Sequence, residues 1–244
     1  MNRATAKLIE RYVNDNINTF HENRIQRLTG LQLNKVLTNK NPYLFRAKNL
    51  NMASDLMAAI LDARLSSSEE GSFGGFLENL ATFVAEETGG GYKSAAEGID
   101  IEIVRKRVRY LIAVKSGKNW GNASQQSALK RSFKTALKVI RQSKHAGELR
   151  ATLGICYGNF RTTDTGEYLH IGGQSFWHLI SGDTNLYVDL VEPLGYRAEE
   201  HDAAFKKAKG DTYNRLTREF MEQYCEPSGA INWPKLVEFV SGNM

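Results

Sequence analysis

The chain has 244 residues, 41% of them hydrophobic and 24% charged, with a formal net charge of +5. Those proportions suit a globular protein with a substantial core and exclude a disordered or collagen-like chain. No stretch is apolar enough to span a bilayer and no signal-like segment opens the chain; Cys156 and Cys225 lack metal-site spacing, so reduced thiols in a cytoplasmic protein are expected.

In chain order, residues 4–37 read as helical: Leu8, Ile9, Tyr12, Val13, Ile17 and Phe20 recur at helical spacing, and Ile25, Leu28, Leu31, Leu33 and Val36 do so more loosely. Asn39 to Pro42 breaks the run. Tyr43 to Lys48 mixes aromatic and basic residues. Arg46 and Lys48 either touch a DNA backbone or are solvated charges around an aromatic anchor, the commoner fate of such cations. A helix is expected over 53–65 and a polar loop over Ser66–Glu70.

The next helix starts near Gly74. Phe73, Phe76, Leu77, Leu80 and Val84 form its core stripe, and Gly74, Glu78, Ala81 and Ala85 the neighbouring one. Small residues there let another element approach, which sets Glu78 beside the core. An acid so placed is either an ordinary half-exposed glutamate or one that is paired or metal-bound. Gly89 to Gly91 ends the helix, without the lysine and hydroxyl spacing of a phosphate-binding loop. Lys93 follows as a surface lysine or a phosphate contact.

Two strands joined by a charged turn come next. Alternation over 99–104 places Ile99, Ile101 and Ile103 on one face and Asp100 and Glu102 on the other. The partner strand covers 110–115 and ends in Lys115, with Arg105, Lys106 and Arg107 as the solvated turn. Acids and a lysine on strands otherwise rich in Ile, Leu and Val are costly to bury without a purpose.

Ser116 to Asn122 is a polar loop. Ser124 can cap a helix running to about Lys144, with Leu129, Phe133, Leu137 and Ile140 on its apolar face. Lys130, Lys134, Lys138 and Arg141 form a basic stripe, either solvated or a phosphate track. Residues 149–157 read as a central strand. Residues 159–173 are turn-rich. His178, in an apolar stretch, is a structural or exposed histidine before it is a base reader. Residues 186–194 are strand or helix, 198–225 a charged helix broken at Gly210, and 233–240 a last amphipathic helix.

The hairpin resembles the PD-(D/E)xK nuclease superfamily, in which an Asp on one strand and a (D/E)xK tripeptide on the next hold a magnesium ion over a phosphodiester. Asp100, preceded by Ile99 in place of Pro, matches the Asp, and Lys115 the Lys; Ala113 stands where the middle acid belongs. NKNPYLFRAKN (39–49), FGGFLENLA (73–81), GGGYKSAAEGIDIE (89–102), VKSGKNWGN (114–122) and FWHLISGDTNLYVDLVEPLG (176–195) resemble the PmeII-type group of type II restriction endonucleases.

The resemblance implies an α/β fold with the αβββαβ restriction-endonuclease core, although one strand is not obvious between Gly89 and Gly98. Residues 66–160 would be the catalytic core, with helical additions at 1–65 and a region for DNA reading or dimer contacts at 161–244. It implies Mg²⁺-dependent cutting of double-stranded DNA at a short site by a homodimer in a prokaryotic cytoplasm. Asp100 would bind metal and Lys115 would orient the attacking water. The second acid would be Glu78, then Glu102, with Glu97 a further candidate. Lys93, Ser116, Lys118, Asn119, Asn122, Lys130 and Lys134 would contact DNA. A structure-specific repair nuclease, a non-catalytic DNA-binding homologue and a domain with no nucleic-acid role are the alternatives.

Overall fold

The computed structural model describes residues 3–142 and 147–242. The chain forms two compact units. One comprises Met1–Asn18 with Ser72–Tyr196, the other Thr19–Gly71 with Arg197–Met244.

Helices α1 (Arg3–Thr29), α2 (Leu33–Leu37), α3 (Pro42–Ala47) and α4 (Ala53–Glu87) open the chain. Helix α4 runs unbroken through Ser66–Glu70, where a loop was expected. Serine and glutamate there are tolerated on helix surfaces, and Gly71, Gly74 and Gly75 lower helix propensity without removing any backbone donor.

The strands are β1 (Gly91–Lys93), β2 (Ile101–Arg105), β3 (Val108–Gly117), β4 (Glu148–Tyr157), β5 (Thr163–Asp164) and β6 (Leu169–Gly172), with α5 (Ala123–Gln142) between β3 and β4. They make one six-stranded sheet in the order β1-β2-β3-β4-β6-β5. The β3–β4 and β4–β6 pairs are parallel and the others antiparallel. Strand β1 lies where no strand was obvious. It is three residues long and mostly exposed, so it carries no hydrophobic alternation to read. The chain then continues through α6 (Gln174–Ser181), α7 (Leu186–Asp189), α8 (Val191–Leu194), α9 (Ala198–Tyr224) and α10 (Trp233–Ser241). Helix α9 passes Gly210 without a break.

Helix α5 begins one residue before the expected cap. The side chain of Asn122 accepts from the amides of Ser124 and Gln125, so Asn122 and not Ser124 satisfies the first turn. Its expected end at Lys144 lies outside the described residues.

The sheet is covered on both faces. On one, Leu129, Phe133 and Ala136 of α5 pack against Ile99, Leu111, Ala113, Ala151, Leu153 and Ile155. Ile101, Ile103, Ile112 and Val114 alternate with that row and are fully buried on the other face. Ser116 continues their row, and a Cβ on Gly74 of α4 would stand 3.1 Å from its Oγ. Phe176 of α6 packs so close to Gly154 that a Cβ there would lie 2.5 Å from the ring. The turn between β2 and β3 is two residues, Lys106 and Arg107, both at positive φ. Arg105 is not part of it: its guanidinium donates to the carbonyls of Leu179 and Ile180 at the end of α6.

The second unit has its own core. Leu28, Leu33, Leu37, Leu56, Met57, Ile60, Leu216 and Phe220 are almost fully buried in it.

Candidate active site

The site forms where β2 stops short of β3. Strand β2 pairs with Val108–Ile112 only, so Ala113–Gly117 continue with an edge that β2 does not cover. At the last pair the ladder slips. The amide of Asp100 donates to the carbonyl of Ile112, the residue that is also the register partner of Ile101. Two consecutive residues thus oppose one, as in a β-bulge.

The slip overturns the simple alternation. Ile99 lies in the α5-side core, whereas Ile101 pairs with Ile112 on the opposite face. Glu102 pairs with Leu111, which places it on the α5 face. Asp100 and Glu102 therefore do not share a face. Asp100 instead turns to the bare edge, where its carboxylate accepts the amide of Val114 at 2.7 Å.

Val114 receives both charged groups. Its N–H goes to Asp100, and its carbonyl accepts the ammonium of Lys115 at 2.6 Å. A strand residue directs its N–H and C=O to the same side, so the acid and the amine meet along one edge. The same ammonium lies 3.4 Å from Glu78 Oε1 of α4. Glu78 is half-buried; its carboxyl is raised above the ordinary glutamate range by burial and further by the charge of Asp100, while Lys115 opposes the rise. Beneath them, burial pushes the Cys156 thiol up, with Glu78 adding to it, which makes that thiol an inert neighbour.

Ala113 is 1% exposed and packed with Leu129 and Phe133. The position corresponding to the motif acid thus belongs to the α5-side core.

Glu102 is held elsewhere. It accepts from Tyr92 Oη at 2.9 Å, Ser94 Oγ at 2.8 Å and Arg109 Nε at 2.9 Å. Burial opposes its ionisation, but the hydrogen bonds from Ser94, Arg109 and Tyr92 outweigh that and hold the carboxyl below the usual range. Glu102 and Glu97 both line a cleft of about 720 Å³ between Ala95–Glu97 and α5, on the face away from Glu78. Of the acids considered from sequence, Glu78 is the one the structure brings to Lys115. Among the described residues, no three His, Cys, Asp or Glu side chains are gathered as a metal cage.

The other candidates are scattered around this edge. Lys118, Asn119 and Lys93 are exposed, and Ser116 is half-buried against Gly74. Asn122 is occupied as the cap of α5. Lys130 and Lys134 both pair with Glu167, at 2.6 and 3.4 Å, so their charge is partly neutralised within the protein. His178 is exposed on α6. Sequence reasoning missed Val114, Tyr92, Ser94 and Arg109. Val114 is a backbone contributor with no side-chain signal. The other three act through β1 and the hairpin register, which a strand count without β1 hides.

A six-stranded mixed sheet flanked by helices, with an acid just before β2 and a lysine on the adjacent β3, is a restriction-endonuclease-like fold. The family model described as type II restriction endonuclease EcoO109I matches residues 7–202, and the chain belongs to that family. No curated protein sequence matches the chain. Among the described residues, no helix is long and apolar enough to cross a membrane.

Proposed function

We propose that the chain is a Mg²⁺-dependent type II restriction endonuclease of the PD-(D/E)xK kind, akin to the PmeII-type group. It cuts double-stranded DNA at a short specific site and works as a homodimer in a prokaryotic cytoplasm, since a two-fold protein suits a palindromic site. The observation that carries this reading is that Asp100 and Lys115 bind the N–H and the C=O of the same residue, Val114, with Glu78 arriving from α4.

A half-buried Glu78 carboxyl whose proton affinity is raised by burial and by the charge of Asp100, beside a strand edge, fits a hard divalent cation, which relieves that repulsion. Asp100 and Glu78 would hold it. Such an ion supplies Lewis-acid stabilisation of the charge developing on the phosphate. Lys115 orients the attacking water and balances the phosphate charge. Glu102 is the weaker metal candidate, because its oxygens are taken by Tyr92, Ser94 and Arg109. Lys93, Ser116, Lys118, Asn119 and Asn122 line the approach to DNA, with Lys130 and Lys134 as phosphate contacts once released from Glu167. Residues 66–160 carry catalysis, 161–244 supply DNA reading or dimer contacts, and 1–65 form a helical region.

Incubating plasmid DNA with the protein in Mg²⁺, against the same mixture in EDTA, tests the reading. Discrete fragments that disappear in EDTA and with Asp100→Asn are expected; no cutting, or a smear, counts against it. The second reading is a non-catalytic DNA-binding homologue, favoured by the core packing of Ala113. Tight Mg²⁺-independent binding without hydrolysis would select it. Cutting that follows junctions or mismatches would select a repair nuclease.

A further inference from the structure

The second unit carries a basic surface that the catalytic edge does not account for. Between Glu22 and Asp55 the sequence has no acidic residue, yet it holds Arg24, Arg27, Lys35, Lys40, Arg46 and Lys48. Within this span, Leu28, Leu33, Val36, Leu37, Pro42 and Phe45 are buried, and Ile25, Leu31 and Leu50 pack against the same core. The exposed residues from Asn34 to Asn51 include the amides and cations Asn34, Lys35, Asn39, Asn41, Arg46, Lys48, Asn49 and Asn51, and Lys40 is half-buried.

Three apolar side chains interrupt them. Tyr43, Leu44 and Met52 are 62%, 49% and 62% exposed and fall within ten residues of one another, among the cations. Arg46 is held in place without an acid. It donates to Asn51 Oδ1 at 2.9 Å, Asn51 in turn donates to Asn49, and the guanidinium lies 5.8 Å from the centre of the Trp233 ring. None of Lys35, Lys40, Arg46 and Lys48 forms an ion pair among the described residues, whereas Lys206 and Lys207 on α9 pair with Asp202 and Asp211.

Unneutralised cations favour a polyanion, asparagine amides suit base edges, and an oriented guanidinium suits phosphate or guanine. We infer that the outer surface of α2, α3 and the 48–52 turn is a second DNA-binding surface, taking the backbone of duplex DNA on Lys35, Lys40, Arg46 and Lys48. It rests on the endonuclease reading and adds to it a site remote in sequence from the catalytic hairpin.

The test measures binding of the whole protein to a duplex oligonucleotide in EDTA across a range of salt. A Lys35→Ala/Lys40→Ala/Lys48→Ala variant is expected to bind at least about tenfold more weakly near 0.1 M salt and to lose about 2–3 from the slope of log K against log salt, near 0.9 for each phosphate contact removed. A Lys206→Ala/Lys207→Ala variant, with equal or smaller charge loss per site, is expected to bind as the parent does. The unfolding midpoint of the triple variant, measured alongside, is expected to match the parent, since all three lysines lie outside the core. Unchanged affinity and slope in the triple variant, or an equal loss in the α9 variant, overturns the inference while parental cutting of plasmid leaves the endonuclease reading standing. A parent that neither binds nor cuts DNA overturns both.

Discussion

Lys115 and Glu78 are 37 positions apart in sequence, on a strand and a helix, yet their charged ends lie 3.4 Å apart. The helix can come this near because Gly74, one turn before Glu78, has no side chain to hold it off Ser116. The approach that gives Glu78 this partner also buries it beside Asp100. Its carboxyl is raised by burial and by Asp100, so the ionised form is disfavoured in the folded protein.

Glu78→Gln is therefore expected to separate stability from activity. A carboxyl whose folded value is raised contributes stability below its unfolded value, and that contribution is lost as pH rises through the folded value. At neutral pH the variant should unfold at a slightly higher temperature than the parent, and the difference should shrink on acidification below the ordinary value of 4.5. Plasmid cleavage should fall by roughly 10²–10³-fold, the scale of losing one group that stabilises transition-state charge. Thermal melts across pH, beside a cleavage time course, check both.

Asp100→Asn and Lys115→Met are each expected to abolish cutting while the chain still folds. The asparagine keeps an oxygen for the Val114 amide, so its cost in stability should be about 1 kcal/mol or less, near the net worth of one hydrogen bond. Urea unfolding together with plasmid assays gives the answer. A variant that cuts at the parental rate would remove Asp100 from the site.

Glu102→Gln should behave in the opposite way. It leaves Arg109 and Tyr92 around a neutral amide in a position where the acid is 7% exposed. A loss of about 1–3 kcal/mol is expected, the usual cost of unmaking charged hydrogen bonds in a buried place. Because the Glu102 carboxyl is held below 4.5, its stabilisation is present above the unfolded value and disappears as pH falls through the folded one. The gap between parent and variant should close in acid. The Mg²⁺ concentration for half-maximal cutting should not move; a large increase would make Glu102 a metal ligand.

Restoring an acid at Ala113 is expected to fail. The site is 1% exposed and bounded by Leu111, Leu129 and Phe133. Ala113→Glu would place a carboxylate among them and should destabilise the protein by about 3 kcal/mol or more. Denaturant unfolding measures the loss, and a stable variant with faster cutting would show that the motif position is open to the metal after all.

The hairpin itself was legible, because Ile99–Val104 alternates, Tyr110–Lys115 is a nearly continuous apolar run, and a charged turn divides them. The reach of Glu78 was legible too, from the small residues one turn either side of it. The bulge at Asp100 was not. It depends on which carbonyl an amide chooses across the ladder, and residue types do not record that choice. Pairing Asp100 with Glu102 on one face followed from a perfect period of two, and a single extra residue broke it. The continuous α4 was hidden by serines and glycines that lower helix propensity without forbidding a helix. Strand β1 was hidden because its three residues bury little.

The N–H and C=O of Val114 lie beyond the residues that β2 pairs with; two side chains satisfy them instead. Drawing Asp100 toward a cation leaves the Val114 N–H without its partner, and drawing Lys115 toward a phosphate leaves the Val114 carbonyl without its own. Water or the incoming ligand must then fill the gap. Occupancy of the site and the integrity of the strand edge are thus one equilibrium, and amide exchange at Val114 would report on it directly.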